Sequence, residues 1–228
     1  MQRNLTGYFG KLPDRADFVT GSCPDGFLKL WEPFLMGGLA QSRQQLGGDW
    51  EDAYMTMPIW RFWLKSTAPD GAAAACAAGA LMPSVDKVGR KFPLTVVGAP
   101  SGAESIGEPP QTWYDDVEAV LLGALEDDAT LSGFKESVAG LAAPAANTET
   151  DDALQCGSMV PEADTKGRVI SRFWCQAGAQ AICFGCDGLP AQEEFRWLLV
   201  PEAFEARSDR GDEAGQEHGR YQAEDHRT

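Results

Sequence analysis

Large apolar residues in 27–35 recur at spacings of three and four along the chain. This period places them on one face of an α-helix, so the segment predicts an amphipathic helix that packs against a core. Asp25 precedes it and is expected to cap its N-terminus. Pro33 is expected to kink the helix or to restart it. The pair Gly47-Gly48 is expected to end it.

A different period governs 59–65, where the pattern predicts a β-strand. Trp60, Phe62 and Leu64 then share one face of the strand. The other face is amphipathic, is expected to be covered by a helix, and carries Ile59, Arg61, Trp63 and Lys65.

Further elements follow from the same reasoning and complete a fold prediction. They are a strand within 4–12, a short strand near 79–82, a strand at 92–98, a helix begun by a capping box at Thr112 and Asp115, a short helix at 131–141, a hairpin of 169–176 with 180–185 around Gly178, and a helix starting at Pro190. Together they predict an α+β fold with a mostly antiparallel sheet of about five or more strands, flanked by helices on both faces in three α/β/α layers. Residues 1–200 form one domain, and 201–228, with 8 acidic and 4 basic residues, is expected to be an acidic, disordered tail.

The segment 81–97 is a polar turn between two apolar runs. Pro83 and Pro93 restrict φ near its ends, and Gly89 permits a positive φ between them. Its polar residues are Ser84, Asp86, Lys87, Arg90 and Lys91. Such a turn is either a structural corner, in which Ser84 and Asp86 bond to turn amides and Arg90 pairs with a carboxylate, or a contact surface.

Charge narrows the classes of partner. The net charge is −15 and the pI is near 4.5. Nucleic acid and anionic membranes are therefore poor partners, since binding to phosphates depends on Lys and Arg. The N-terminus lacks the apolar region of a signal peptide, and no apolar run approaches the ~20 residues that span a bilayer. We expect no membrane insertion, a cytoplasmic location and reduced cysteines.

Histidine and cysteine limit the possible chemistry. The only histidines are His218 and His226, both in the predicted tail, which excludes Cys–His dyads and histidine-ligated metal sites from the folded body. Cys183-x-x-Cys186 is the strongest local motif, and zinc would need Cys156 and Cys175 as further ligands. Those two do not form a second close pair, so neither a metal nor another cofactor is expected. A zinc or redox protein using Cys183 and Cys186 remains the enzymatic alternative.

Several segments in order resemble the TagF family, also called ImpM, of type VI secretion-associated proteins. They are GYFGKLPDRADFV at 7–19, SRQQLGGDW at 42–50, PIWRFWL at 58–64, LMPSVDKVGRKFPLT at 81–95, Ser171 with Trp174, and Gly188-Leu189-Pro190. Ala16 departs from the pattern, because the family usually has glycine there. The order of strands and helices is also similar to longin-type folds, by fold-level analogy.

The resemblance implies a cytoplasmic accessory protein that represses type VI secretion after translation by binding the forkhead-associated scaffold component of that system. It supplies no catalytic residues, so no enzymatic activity is expected. The alternative is a structural accessory subunit of the secretion baseplate. The expected contact residues are Asp17, Arg61, Asp86, Lys87, Arg90 and Lys91, against the competing prediction that Asp17, Arg61, Asp86 and Arg90 form internal ion pairs.

Overall fold

A seven-stranded antiparallel sheet forms the centre of the computed structural model, which describes residues 6–67, 73–99, 108–144, 169–178 and 180–202. Its strands are β1 Thr6–Gly10, β2 Val19–Gly21, β3 Trp60–Thr67, β4 Ala73–Met82, β5 Leu94–Gly98, β6 Val169–Ala177 and β7 Gln180–Asp187. Their order across the sheet is β2-β1-β5-β4-β3-β6-β7. The sheet is open, and β3, β4 and β5 pair in chain order as an antiparallel meander.

Helices cover both faces of the sheet. They are α1 Phe27–Leu46, α2 Trp50–Met55, α3 Gln111–Gly123, α4 Leu131–Gly140 and the single turn α5 Arg196–Leu199, with 3-10 turns at Gly47–Asp49 and Gln192–Glu194. One core lies between the sheet and α1, α2 and α5, and a second lies between the sheet and α3 and α4. The predicted α+β class and the three layers are confirmed.

Strand β3 shows why two cores form. Its residues Trp60, Phe62 and Leu64 pack in the α1 core, whereas Trp63 packs against the α3 core. This is the alternation that the sequence pattern predicts for a strand covered on both sides. The indole N–H of Trp31 in α1 donates a hydrogen bond of 3.0 Å to the Thr95 hydroxyl, which ties α1 to β5.

Two predicted helix caps are wrong. Gly26, with φ +80°, is the N-cap of α1, and no side chain caps it. Helix α3 begins at Gln111, so Thr112 already lies inside it and Asp115 is free to pair with Arg61. Pro33 lies inside a continuous α1 on its exposed side, where water can bond to the carbonyl that lacks an amide donor.

Other differences concern the extent of elements. Strand β4 has ten residues instead of the four predicted, because pairing with β3 and β5 outweighs the helix propensity of its alanines. Strand β2 and helix α2 were not predicted. The 3-10 turn near Pro190 begins only at Gln192. The predicted tail lies almost wholly outside the described residues, which end at 202.

No helix among the described residues combines the length and the apolar character needed to cross a membrane.

Candidate partner-binding surface

The polar turn of the sequence lies at one end of the sheet. Strands β4 and β5 pair antiparallel, and so do β5 and β1. The turn 83–93 therefore meets the loop 11–18 that leaves β1. We call these two segments together the corner.

A buried ion pair lies at the centre of the corner. The ammonium of Lys11 is 2.7 Å from Oδ2 of Asp86, with side-chain exposures of 5% and 0%. The same oxygen accepts a bond of 2.6 Å from Nε of Arg90, and Oδ1 accepts the backbone amides of Val88 and Arg90 at 3.0 and 2.9 Å. Both carboxylate oxygens are thus bonded, as a buried charge requires.

These contacts determine the protonation of Asp86. Burial by itself raises the pKa of the carboxyl group. Hydrogen bonds from Lys11, from Arg90 and from the two backbone amides outweigh burial and hold the pKa well below its ordinary value. Asp86 is therefore an ionised carboxylate that organises the turn.

Helix α2 and the loop that leaves β1 hold both ends of the turn. The buried hydroxyl of Tyr54 donates to the Ser84 carbonyl at 2.8 Å and accepts from the Ser84 amide at 3.0 Å. Ser84 Oγ donates to the carbonyl of Lys11 at 2.8 Å, and Lys91 pairs with Glu51 at 2.8 Å. Ser84 therefore acts as a buried structural hydroxyl, although it bonds to a carbonyl and not to a turn amide as predicted.

The outer side of the corner is exposed. The Lys87 side chain is exposed, while its backbone amide donates to the Arg15 carbonyl at 3.0 Å. Val88 is 64% exposed and Phe18 is 47% exposed. Arg90 is half exposed, and its guanidinium also bonds to the carbonyl of Ala16. The corner thus presents cations and apolar side chains together on a firmly bonded turn.

The other predicted contact residues divide between surface and interior. Asp17 is exposed on the loop 11–18, which is part of the corner. Ala16, the departure from the family pattern, has no positive φ, since Ser22 is the only described non-glycine residue that has one. An alanine therefore fits this backbone without strain.

Arg61 lies on the face of the sheet that α3 covers. Its guanidinium bonds to Glu118 at 2.7 Å, to Asp115 at 2.7 Å and to Gln111 at 2.9 Å. Burial acts to lower the pKa of Arg61, but the two carboxylates raise it above the ordinary value. The structure thus places Arg61 in an internal network that joins β3 to α3.

The two cysteines of the C-x-x-C motif lie on opposite faces of β7. Cys183 packs against the α3 core and Cys186 against the α1 core, so one metal ion cannot contact both. Cys183 is disulfide-bonded, and the expectation of a reduced cysteine is wrong there. Burial, with Glu194, raises the pKa of Cys186 to about 11. Cys156, a further ligand that zinc would need, lies outside the described residues.

Sequence reasoning missed two residues that hold the corner. Lys11 was not among the predicted contact residues, whereas it is the buried partner of Asp86, 75 residues away. Tyr54 lies in a helix that was not predicted. The signal for Lys11 was its place within the GYFGKLPDRADFV segment; the sequence around Tyr54 carries none.

Comparison with known proteins finds a matching family model and a similar solved structure. The family model of the TagF N-terminal domain, described as type VI secretion system-associated, matches residues 7–141, which include the whole corner. The crystal structure of PA0076 from Pseudomonas aeruginosa PAO1 is similar with a TM-score of 0.65 and 32% sequence identity, over 85% of this chain and 93% of that chain. None of the curated proteins is significantly similar to the chain.

Proposed function

The chain belongs to the TagF family of type VI secretion system-associated proteins, and from this premise we propose that it represses type VI secretion after translation. In this proposal it is a non-enzymatic cytoplasmic accessory protein. Its target is the forkhead-associated scaffold component of the secretion system. The family resemblance of the sequence supplies this role and this partner.

The division of the corner into a buried and an exposed half carries the proposal. Lys11 and Asp86 are buried and paired with each other, so they keep the turn in one conformation. Lys87 and Val88 project from that turn into solvent. A preorganised, mixed cationic and apolar surface loses little entropy on binding, which suits a protein–protein contact.

Charge reversal at Lys87 tests the contact surface. In calorimetric titration of the full chain with the scaffold protein from the same genome, we expect Lys87→Glu to weaken binding by about tenfold, which a lost charged contact typically costs. The melting temperature is expected to stay unchanged, because the Lys87 side chain is exposed. Lys135→Glu is the matched control, since this lysine is exposed on α4 and lies outside the corner.

Other results would contradict the proposal. If the wild-type chain forms no complex with the scaffold and its overexpression leaves secretion unchanged, the repressor function is wrong. If Lys87→Glu loses melting temperature together with binding, the residue has a structural role. Stable copurification with the assembled baseplate would indicate a structural subunit instead.

The cytoplasmic location rests on the family resemblance and has its own test. The disulfide at Cys183 counts against it, since disulfides are uncommon in that compartment. Cell fractionation of a tagged full chain is expected to recover the protein with cytoplasmic markers. Recovery with periplasmic markers would contradict the proposed location.

A further inference from the structure

A groove with a volume of about 600 Å³ lies between α1, the start of α2 and the corner. Its apolar lining includes Leu39, Trp50 and Phe92, and its cationic lining is Arg43, Arg90 and Lys91. Met36 also lines it and is 54% exposed. The groove therefore offers an apolar floor with positive charge along its sides.

The charge of this groove differs in sign from that of the chain. Glu51 is the one carboxylate among its lining residues, and it already pairs with Lys91 at 2.8 Å. Beneath them, the buried Lys11 balances Asp86 at 2.7 Å. The local balance is positive, whereas the whole chain carries −15. A narrow positive site on an acidic protein favours a short anionic segment over a long polyanion, which the rest of the surface repels.

The Arg43 side chain lies where it can bind an anionic segment in the groove. Its guanidinium carbon lies 4.2 Å from the centre of the Trp50 ring, and the Trp50 indole N–H donates to Ser42 Oγ at 2.9 Å. The ring is thus fixed and supports the guanidinium from one side. The planar fork of guanidinium N–H donors matches the two oxygens of a carboxylate.

Met36 supplies the apolar contact beside these charges. Its exposed thioether is flexible and polarisable, so it adapts to aliphatic and aromatic side chains. We propose that the groove binds an acidic, extended segment of a partner protein, whose carboxylates pair with Arg43 and Arg90 and whose apolar side chain packs on Met36. This inference rests on the proposed function and names the chemistry of the partner at that surface.

Fluorescence anisotropy with the full chain tests the groove. The probe is a fluorescein-labelled peptide of alternating Glu and Gly with one central Phe; the comparison peptides replace Glu by Lys or Phe by Ser. We expect saturable binding of the acidic peptide that weakens as salt is added, because exposed charges are screened. Both comparison peptides are expected to bind more weakly.

Two variants test whether the acidic peptide binds in the groove. Arg43→Gln is expected to weaken binding by about tenfold or more, the usual loss for a charged hydrogen bond. Met36→Ser is expected to weaken binding of the Phe peptide and to leave the Ser peptide unaffected. Lys135→Gln is the control for lost charge, and melting temperatures check that each variant folds. Met36 is exposed, so its variant remains informative if Arg43→Gln is unstable.

The outcomes separate this inference from the repressor function. Absence of peptide binding, or binding that both groove variants retain, would overturn the groove assignment. Sedimentation that shows dimers of the wild-type chain and monomers of the Met36→Ser variant would make a second copy the occupant and also overturn it. If the wild-type chain binds the scaffold but no acidic peptide, the proposed repressor function stands and the groove assignment is wrong. If it binds the acidic peptide but not the scaffold, the groove assignment stands and the proposed scaffold partner is wrong.

Discussion

Tyr54→Phe removes one oxygen atom at the point where α2 holds the corner. The Tyr54 hydroxyl is the acceptor for the Ser84 amide at 3.0 Å and a donor to the Ser84 carbonyl at 2.8 Å. The carbonyl keeps a second donor, the Phe92 amide at 3.0 Å. The variant therefore leaves one buried amide without a partner and removes one further hydrogen bond.

The expected cost follows from these two losses. An unsatisfied buried donor costs about 1–3 kcal/mol, and a hydrogen bond contributes about 0.5–1.5 kcal/mol net. The free energy of unfolding is therefore expected to fall by about 1.5–4.5 kcal/mol. For a chain of this size that corresponds to a decrease of about 3–18 °C in melting temperature. The native hydroxyl keeps its proton at working pH, because burial raises the pKa of Tyr54 well above its ordinary value.

Urea denaturation followed by tryptophan fluorescence measures the effect, with Tyr114→Phe as the matched control. Tyr54 and Tyr114 are both fully buried. Among the described residues, the Tyr114 hydroxyl bonds only to the carbonyl of Phe62, at 3.4 Å, and the strand of Phe62 is already paired on both sides. The control is expected to lose less than about 1 kcal/mol. Equal losses in the two variants would refute the assigned role of the Ser84 contacts.

Three further predictions concern packing, pH and the cysteines. Gly38→Ala is expected to cost about 1–3 kcal/mol in urea denaturation, because its new methyl group would lie 2.1 Å from the Phe195 ring; Gly37→Ala meets only the flexible end of a glutamine and should cost less. Asp86→Asn is expected to lower stability at neutral pH and to flatten its loss in acid. The native carboxylate stabilises the fold above its unfolded pKa of 3.8, and this contribution disappears as the pH falls towards the lower pKa of the folded state. If the stability of the variant and of the native chain falls equally steeply with decreasing pH, the prediction is wrong. Cys186→Ser is expected to leave scaffold binding unchanged, because no metal is expected at this cysteine. Metal analysis that finds stoichiometric zinc in the native chain would contradict the expectation.

Elements with a strong local pattern were predictable from the sequence. The alternation in β3 and the spacing of three and four residues in α1 each predicted the right element, because the large apolar residues of each pattern lie together in one core. The caps at Asp25 and Thr112 failed because a cap depends on where the backbone enters the helix. Strand β4 is rich in alanine, and its state depends on neighbours distant in sequence.

The site was predictable only in its local part. Asp86 and Arg90 are four residues apart, and their pairing in a turn is a local inference. The pairing of Lys11 with Asp86 depends on β1 and β5 lying side by side, which the sequence pattern does not contain. The groove joins α1, α2 and the corner, so it exists only once the helices have packed.

The position of β3 within the sheet has a consequence for folding during synthesis. Its partner β6 begins at Val169, about a hundred residues later in the chain. Until β6 leaves the ribosome, β3 has no strand on that side, and the rings of Phe62 and Trp31 lack the Phe173 ring that later packs on them. A nascent chain stopped at residue 141 therefore exposes an apolar strand edge, the kind of edge that promotes aggregation.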